Sequence, residues 1–595
     1  MSNAVIMSVL LAVALATFSA IMLPRLRLLW AARSDSRFDH WGRRLAGMLR
    51  FALFQGRMPR DPVAGFAHIF IFSGFVVVSV ATITHFAHAF VPDWHFPGLG
   101  GAAGRVYLLI KDVFEVLVLA GVSYALWRRL RPKPSRVGRS WEGVFILLMI
   151  ATLMITDFLV YGGELVVSNA PGLPYNPAGH LASLMLAPWG AETAHTVAVA
   201  SWWIHCAAIL LFLNFLPLGK HFHVITSFPK VFFRNLRPWG QVAKADLEGS
   251  ESFGIRTTAD LTWSMVLDTY SCTECGRCNV FCPTALTGKP LSHRQLNLDL
   301  KAALYEDKSA LLSGDAKKKE ELAPLVDGRI SADTIWACTT CGACEQECPL
   351  FIENVPRIIQ MRQNKVLMEG DIAPELARAY KGMENNQNPW GIGFDQRDKW
   401  AEGLDIPRLA DLRGEPPLLY WIGCAGSFDD RNKKVTLAMV KILKAAGVPF
   451  AILGKEEACT GDPARRTGNE YLFQQLATTN VERLNKYKVK RVLTHCPHCL
   501  HTLRTEYPQF GGNYEVVHHS QLIDQLIASG KLELSREHKS SVAWHDSCYL
   551  GRYHNEYDAP RRAVSAVPGT TLVRLQPDGQ HVVLSELTRE LKPGE

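Results

Sequence analysis

Eight of the 14 cysteines stand in two copies of the run C-x2-C-x2-C-x3-C-P: Cys272, Cys275, Cys278 and Cys282 before Pro283, and Cys338, Cys341, Cys344 and Cys348 before Pro349. This is the bacterial pattern for two 4Fe-4S clusters, in which the fourth cysteine of each run ligates the other cluster. Zinc sites close with four ligands and need neither a third cysteine at x2 nor a trailing Cys-Pro. A disulfide framework belongs to small secreted chains, and this chain has 595 residues. The chemistry indicated is storage and relay of single electrons in a reducing compartment.

Such a length implies several units, at about 150 residues per domain. Hydrophobic residues make up 48% of the chain, and their long runs fall in residues 1–240. That part holds 21 Lys+Arg against 10 Asp+Glu, leaving 43 against 46 beyond it, so the net charge of +8 belongs to the apolar part. Arginines flanking membrane segments account for it, and no nucleic-acid partner is implied.

Five segments, near 4–23, 63–90, 106–127, 143–163 and 194–218, are long enough to span a bilayer core at roughly 20 residues each. The first has no basic residue before it and Arg25, Arg27 and Arg33 after it, unlike a signal peptide. Segment 24–62 holds nine arginines, and segment 128–140 holds Arg128, Arg129, Arg131, Lys133, Arg136 and Arg139. The loops near 91–105 and 164–193 hold only Arg105. The positive-inside rule then places the basic loops and both cysteine runs in the cytoplasm, as expected for a multi-pass protein of the cell (inner) membrane. Residues 43–60 alternate basic and apolar positions, which predicts an amphipathic helix with its arginines toward lipid headgroups.

Ionisable side chains at membrane depth mark function by default. His68 and His85 lie 17 residues apart, and His205 and His223 lie 18 apart. At 1.5 Å rise these spacings are about 26 and 27 Å, so two antiparallel ladders match. Two bis-histidine sites follow, His68 with His223 and His85 with His205, of the kind that holds haem b iron. His88, His195 and His221 are close substitutes, and hydrogen-bonded packing histidines are the alternative. Lys111, Asp112, Glu115 and Asp157 either pair with one another or carry protons to a quinone.

After a polar connector at 381–415, short apolar strands at 417–422, 450–453 and 491–494 alternate with helices such as 433–446, which argues an α/β layer domain. Cys424, Cys459, and the pair Cys496 and Cys499 follow the three strands, where such folds place their chemistry. Four thiolates converging there would bind a third cluster, with His495 and His498 tuning it; a catalytic dithiol is the competing use. No Gly-rich nucleotide fingerprint stands beside a convincing strand and helix, so no tightly bound FAD or NAD is expected.

The segments Gly-Cys424-Ala-Gly, Ala-Cys459-Thr-Gly-Asp-Pro-Ala-Arg-Arg, Cys496-Pro-His-Cys499 and His545-Asp-Ser-Cys548-Tyr-Leu-Gly-Arg, after two ferredoxin runs, resemble the heterodisulfide-reductase D-type iron-sulfur oxidoreductases. The N-terminal part resembles the nitrate-reductase gamma-type haem b module fused to them in membrane oxidoreductases that accept electrons from electron-transfer flavoprotein, including dimethylglycine-catabolism types. Where that family has Cys-Cys-Gly, this chain has Cys459-Thr460-Gly461, and only 47 residues follow Cys548, too few for a second full repeat.

The sequence thus predicts a membrane all-α five-helix bundle (1–240), an α-helical ferredoxin-like two-cluster domain (241–380), the connector, and a cysteine-rich α/β domain (416–595) with an incomplete second repeat. The resemblance implies electron flow from reduced electron-transfer flavoprotein, or a dehydrogenase, through the clusters and one or two b haems to quinone. The alternatives are a thiol-disulfide reductase and a non-catalytic anchor and relay protein; no catalytic residue is assigned. Chemical analysis of the purified protein should find at least about eight iron and eight acid-labile sulfide per chain; zinc in their place would overturn the assignment.

Overall fold

The computed structural model describes residues 3–131, 136, 140–169, 175–414 and 416–573. Lys133 and Arg139 of the basic loop and the tail at 576–595 lie outside the described residues.

The described residues of the membrane half are mainly helical: α1 (Asn3–Ala31), α2 (Trp41–Met48), α3 (Pro62–His88), α4 (Gly101–Leu130), α5 (Trp141–Val167), α6 (Pro177–Leu186), α7 (Gly190–Phe215) and α8 (His223–Phe232). Starts follow local chemistry. Pro62 and Pro177 occupy the first turns of α3 and α6, where a missing N–H costs nothing. The Ser140 hydroxyl caps α5 by accepting the Gly143 N–H.

Among the described residues, four helical stretches are long and apolar enough to cross a membrane: Asn3–Ala31, Pro62–His88, Trp141–Val167 and Pro177–Leu218. The last combines α6, α7 and two 3-10 turns, so a helix occupies part of the expected external loop. The expected third span, α4, is as long but carries Lys111, Asp112 and Glu115, all buried. It packs against α3 and α5. Lys111 Nζ donates to Glu115 at 3.0 Å and to Asp157 of α5, and Asp157 also meets His85 Nε2 at 2.8 Å. These charges pair across three helices rather than facing lipid.

Helix α1 runs two turns past its apolar stretch, through Pro24, into the cluster domain, where the Arg25 carbonyl accepts from the Tyr270 hydroxyl (3.2 Å). The amphipathic segment differs from expectation. Arg44 is buried and donates to the Phe232 and Arg234 carbonyls (3.1 and 2.9 Å), while Arg57 donates to the Cys348 carbonyl (2.7 Å) and Arg60 to that of Gln346. Carbonyls at helix ends bind guanidinium groups directly, so these arginines face protein instead of headgroups. The exposed face carries Trp41, Leu45 and Leu49.

The cluster domain is built from short helices around one apolar core that includes Ile255, Leu300 and Ile335 and extends to Leu28 of α1. In the C-terminal domain, β1 (Leu418–Trp421), β2 (Phe450–Ala451), β3 (Arg491–Thr494) and β4 (Glu515–His518) form a parallel sheet in the order β2-β1-β3-β4. The order reverses between β1 and β3, which opens a crevice at their carboxyl ends. A separate parallel pair, β5 (Ser540–Ala543) with β6 (Thr570–Val573), follows. The connector is no loose tether. It pairs with the β2 edge, Leu409 N–H donating to the Ile452 carbonyl (2.9 Å) and Ile452 N–H to that of Pro407 (3.0 Å).

Removing one member of the α4–α5 charge cluster strands the others in an apolar bundle. Lys111→Met should destabilise the detergent-solubilised protein by roughly 3–5 kcal/mol. The triple variant Lys111→Met, Glu115→Gln, Asp157→Asn should recover most of the lost melting temperature; equal melting of all three proteins would refute a paired cluster.

Candidate functional site

Both ferredoxin runs use the same backbone device. Cys272 ends the helix Trp263–Ser271, Cys282 precedes the helix Pro283–Leu286, and the second run repeats the plan around the helix Ala343–Glu347. The residue before each second cysteine takes a left-handed conformation, Glu274 at φ 57° and Thr340 at φ 53°, as does the glycine after it, Gly276 at 73° and Gly342 at 74°. These turns wrap the chain around a common centre. Gly342 is also forced by contact, because a Cβ there would lie 2.9 Å from the Tyr553 hydroxyl.

The fourth cysteine of each run crosses over. One small cavity is lined by Cys272, Cys275, Cys278 and Cys348, without Cys282. Cys278 interacts with Cys275, Cys272 and Cys348, whereas Cys338 interacts with Cys341 and Cys282. Burial pushes the Cys272 thiol up to about 12 and that of Cys338 to about 11. Bound iron supplies the positive charge that would keep such thiolates ionised. The Thr340 and Ile352 amides already donate to the sulfurs of Cys338 and Cys348, each at 3.4 Å. Among the described residues no three His, Cys, Asp or Glu side chains close on a single metal ion; thiols around a cluster stand further apart than ligands of one ion.

The crevice between β1 and β3 gathers the other four thiols. Cys424 follows β1, and Cys496 and Cys499 follow β3 in a turn where the Cys499 N–H donates to the Cys496 sulfur (3.4 Å). Cys459 comes from the loop after β2, with its sulfur on the Gly461 N–H (3.5 Å). Cys499 interacts with Cys496, Cys424 and Cys459, so all four converge. A Cβ on Gly423, at φ 76°, would lie 3.2 Å from the Cys499 sulfur. Hydrogen bonding to Cys459, and then Arg397, holds Cys424 down at about 6 against burial. Arg397, from the connector, donates to the Cys424 sulfur at 3.4 Å. Sequence reading missed it, since nothing in a polar linker marks one arginine as a contact of a distant cysteine.

Of the histidines flanking these thiols, His498 stands on Asp462 (2.8 Å) and stacks on Tyr549 (centroids 3.8 Å apart), and His495 meets the Tyr420 hydroxyl (2.8 Å). The motif around Cys548 reaches the second ferredoxin run as well as the crevice. The Tyr549 hydroxyl meets that of Thr340 (2.7 Å), and Arg552 donates to the Cys341 carbonyl (3.0 Å).

In the membrane half, the His68 and His223 rings lie 6.5 Å apart beside a cavity of about 450 Å3. His223 donates Nδ1–H to the Lys220 carbonyl (2.8 Å), leaving Nε2 for a metal, while His68 Nδ1 is buried without a partner. The wall carries Arg57, Arg128, Arg129, Arg136 and Arg277 against a single carboxylate, Asp61, and is otherwise largely apolar. Two imidazoles, an apolar slot and a cationic rim for acidic groups fit a b-type haem.

His85 and His205 are also brought together, at 5.1 Å and edge to face. His85 Nε2 is committed to Asp157, Nε2 of His205 meets the Thr82 hydroxyl (3.2 Å), and its Nδ1 meets Thr156 and the Leu153 carbonyl (3.2 Å each). As placed, this pair does not offer two free nitrogens to one iron. His88 bonds the Trp94 carbonyl, His195 is exposed, and His221 meets Glu142.

Residues 264–349 match the 4Fe-4S dicluster domain, and residues 418–504 with 542–581 match the cysteine-rich domain. The chain is 35% identical to the EtfAB:quinone oxidoreductase of Syntrophomonas wolfei, over 90% of this chain and 79% of the relative. It is 33% identical to the probable iron-sulfur-binding oxidoreductase FadF of Bacillus subtilis, over 97% and 86%. A component of the dihydromethanophenazine:CoB–CoM heterodisulfide reductase of Methanosarcina barkeri matches at 30%, over 53% of this chain and 78% of the relative. No solved structure matches. With its dicluster and cysteine-rich domains and relatives matched along nearly its whole length, the chain belongs to the iron-sulfur oxidoreductase family of the EtfAB:quinone oxidoreductase and FadF, and is an oxidoreductase.

Proposed function

We propose that this protein carries electrons from reduced electron-transfer flavoprotein to quinone in the cell membrane, with its cluster domains on the cytoplasmic side and α4 as a fifth span. The observation that carries the reading is a shared wall: the His68/His223 cavity is lined by Cys275 and Pro349 of the two ferredoxin runs. A cluster held there adjoins a haem held between the histidines, with no other domain between them.

In this reading Cys272, Cys275, Cys278 and Cys348 hold one 4Fe-4S cluster, and Cys338, Cys341, Cys344 and Cys282 hold the second. Cys424, Cys459, Cys496 and Cys499 hold a third iron-sulfur centre, with Thr460 in the place of a fifth cysteine. His68 and His223 hold one haem b. These groups, when bound, supply one-electron chemistry. The chain's own residues hold the thiolates apart, donate N–H groups to the sulfurs, and line the slot with arginine. Flanking the bundle, the exposed face of α2 rests on lipid.

The EtfAB:quinone oxidoreductase, matched over 90% of this chain, supports flavoprotein and quinone over a disulfide substrate, because the heterodisulfide reductase component matches only 53% of it. A basic inner face also agrees with the cytoplasmic placement. Arginines of both basic segments contact the cluster domain, Arg57 through the Cys348 carbonyl and Arg136 through that of Cys275 (3.2 Å).

Adding reduced electron-transfer flavoprotein anaerobically to the purified protein should reduce a b-type band, and a ubiquinone analogue should then reoxidise it; reoxidation by a disulfide but not a quinone would favour a thiol-disulfide enzyme. His223→Ala should lose that band while keeping iron-sulfur EPR signals. Cys282→Ser should damage the cluster of the 338–344 run and spare that of the 272–278 run; the opposite pattern would refute crossed ligation.

A further inference from the structure

The connector brings one buried cation to the four-thiol crevice. Arg397 is 1% exposed, and its Nη2 donates to the Cys424 sulfur (3.4 Å) and the Gln387 carbonyl (3.1 Å). The same Gln387 carbonyl accepts the Cys459 N–H at 2.8 Å, so the connector is stitched to two of the four cysteine segments. On the other side Nη1 donates to Glu457 at 3.2 Å. Glu457 is itself fixed, its carboxylate accepting the Ile422 N–H (2.9 Å) and the Gly423 N–H (2.7 Å). The Phe428 ring lies 5.3 Å from the guanidinium and helps exclude water.

We propose that Arg397 sets the reduction potential of the centre held by Cys424, Cys459, Cys496 and Cys499, with Glu457 as its counterweight. This rests on reading the four thiols as an iron-sulfur site. Reduction adds one electron to a group already carrying thiolate charge, in a place where salt cannot screen it. A guanidinium and an N–H donated to sulfur favour the added electron and raise the potential, whereas a carboxylate beside the same cysteine opposes it. Arg397 is a positioning residue, since it acts on the centre through the Cys424 sulfur.

The test is an EPR-monitored redox titration of the full-length, iron-loaded protein in detergent, with dithionite as reductant. Arg397→Gln should lower the reduction equilibrium of the third centre at least tenfold, about 59 mV for one electron. Arg397→Lys keeps the charge without the planar fork and should lower it less. Glu457→Gln should move the midpoint upward, and both ferredoxin clusters should titrate unchanged in every variant. Unchanged midpoints, or Arg397→Gln and Glu457→Gln moving in the same direction, would overturn the proposal and leave the four-thiol site standing. If Arg397→Gln loses the centre, the direction of the Glu457→Gln shift decides. Wild-type protein with only two clusters would sink the four-thiol site and this proposal together.

Discussion

Guanidinium groups bonded to cluster-loop carbonyls join the two halves of this molecule. Arg57 reaches the Cys348 carbonyl, Arg136 that of Cys275, and in return Arg277 donates to the carbonyls of Arg57 (3.0 Å) and Met58 (3.3 Å). Hydrogen bonds with a charged partner contribute about 1.5–3 kcal/mol each. Around them run buried ion pairs, Lys230 with Asp268 (2.6 Å) and Arg37 with Glu353 (2.8 Å). Despite burial, Arg37 and Lys230 hold the Glu353 carboxyl down at about 2. This joint sets the cysteine loops against the histidine cavity, so the rest of the redox path depends on it.

Burial works on the thiols in two ways. In the ferredoxin runs it pushes Cys272 and Cys338 toward the neutral form, and iron must supply the compensating charge. In the crevice, hydrogen bonding and Arg397 offset burial at Cys424. Hydrogen bonding and burial still push Cys459 and Cys499 up in the same crevice, so Arg397 acts on Cys424 in particular.

What was legible in the sequence was what covalent geometry dictates. Cysteine spacing in the runs is set by the shape of a cluster, and the histidine ladders by helical rise, so His68 with His223 and His85 with His205 could be paired by arithmetic. The ends of β1 and β3 could be read as cysteine sites because a strand followed by a turn is a local pattern. Three things could not be read. The order β2-β1-β3-β4 depends on non-local pairing. The direction of Arg44, Arg57 and Arg60 depends on carbonyls supplied by segments far along the chain. Arg397 meets Cys424 only because the connector folds along the edge of the sheet.

The central claim is that an iron-sulfur cluster and a haem share one wall at the joint between membrane and soluble halves. It is tested most directly by the electron-spin relaxation of the reduced Cys272/Cys275/Cys278/Cys348 cluster, measured by pulsed EPR after radiolytic reduction at 77 K, which traps reduced clusters beside ferric haem, and again after dithionite has reduced both groups. Adjacency predicts faster relaxation beside the paramagnetic ferric haem and slower relaxation once the haem is reduced and diamagnetic. Relaxation that ignores the state of the haem, in protein carrying both groups, would contradict the account.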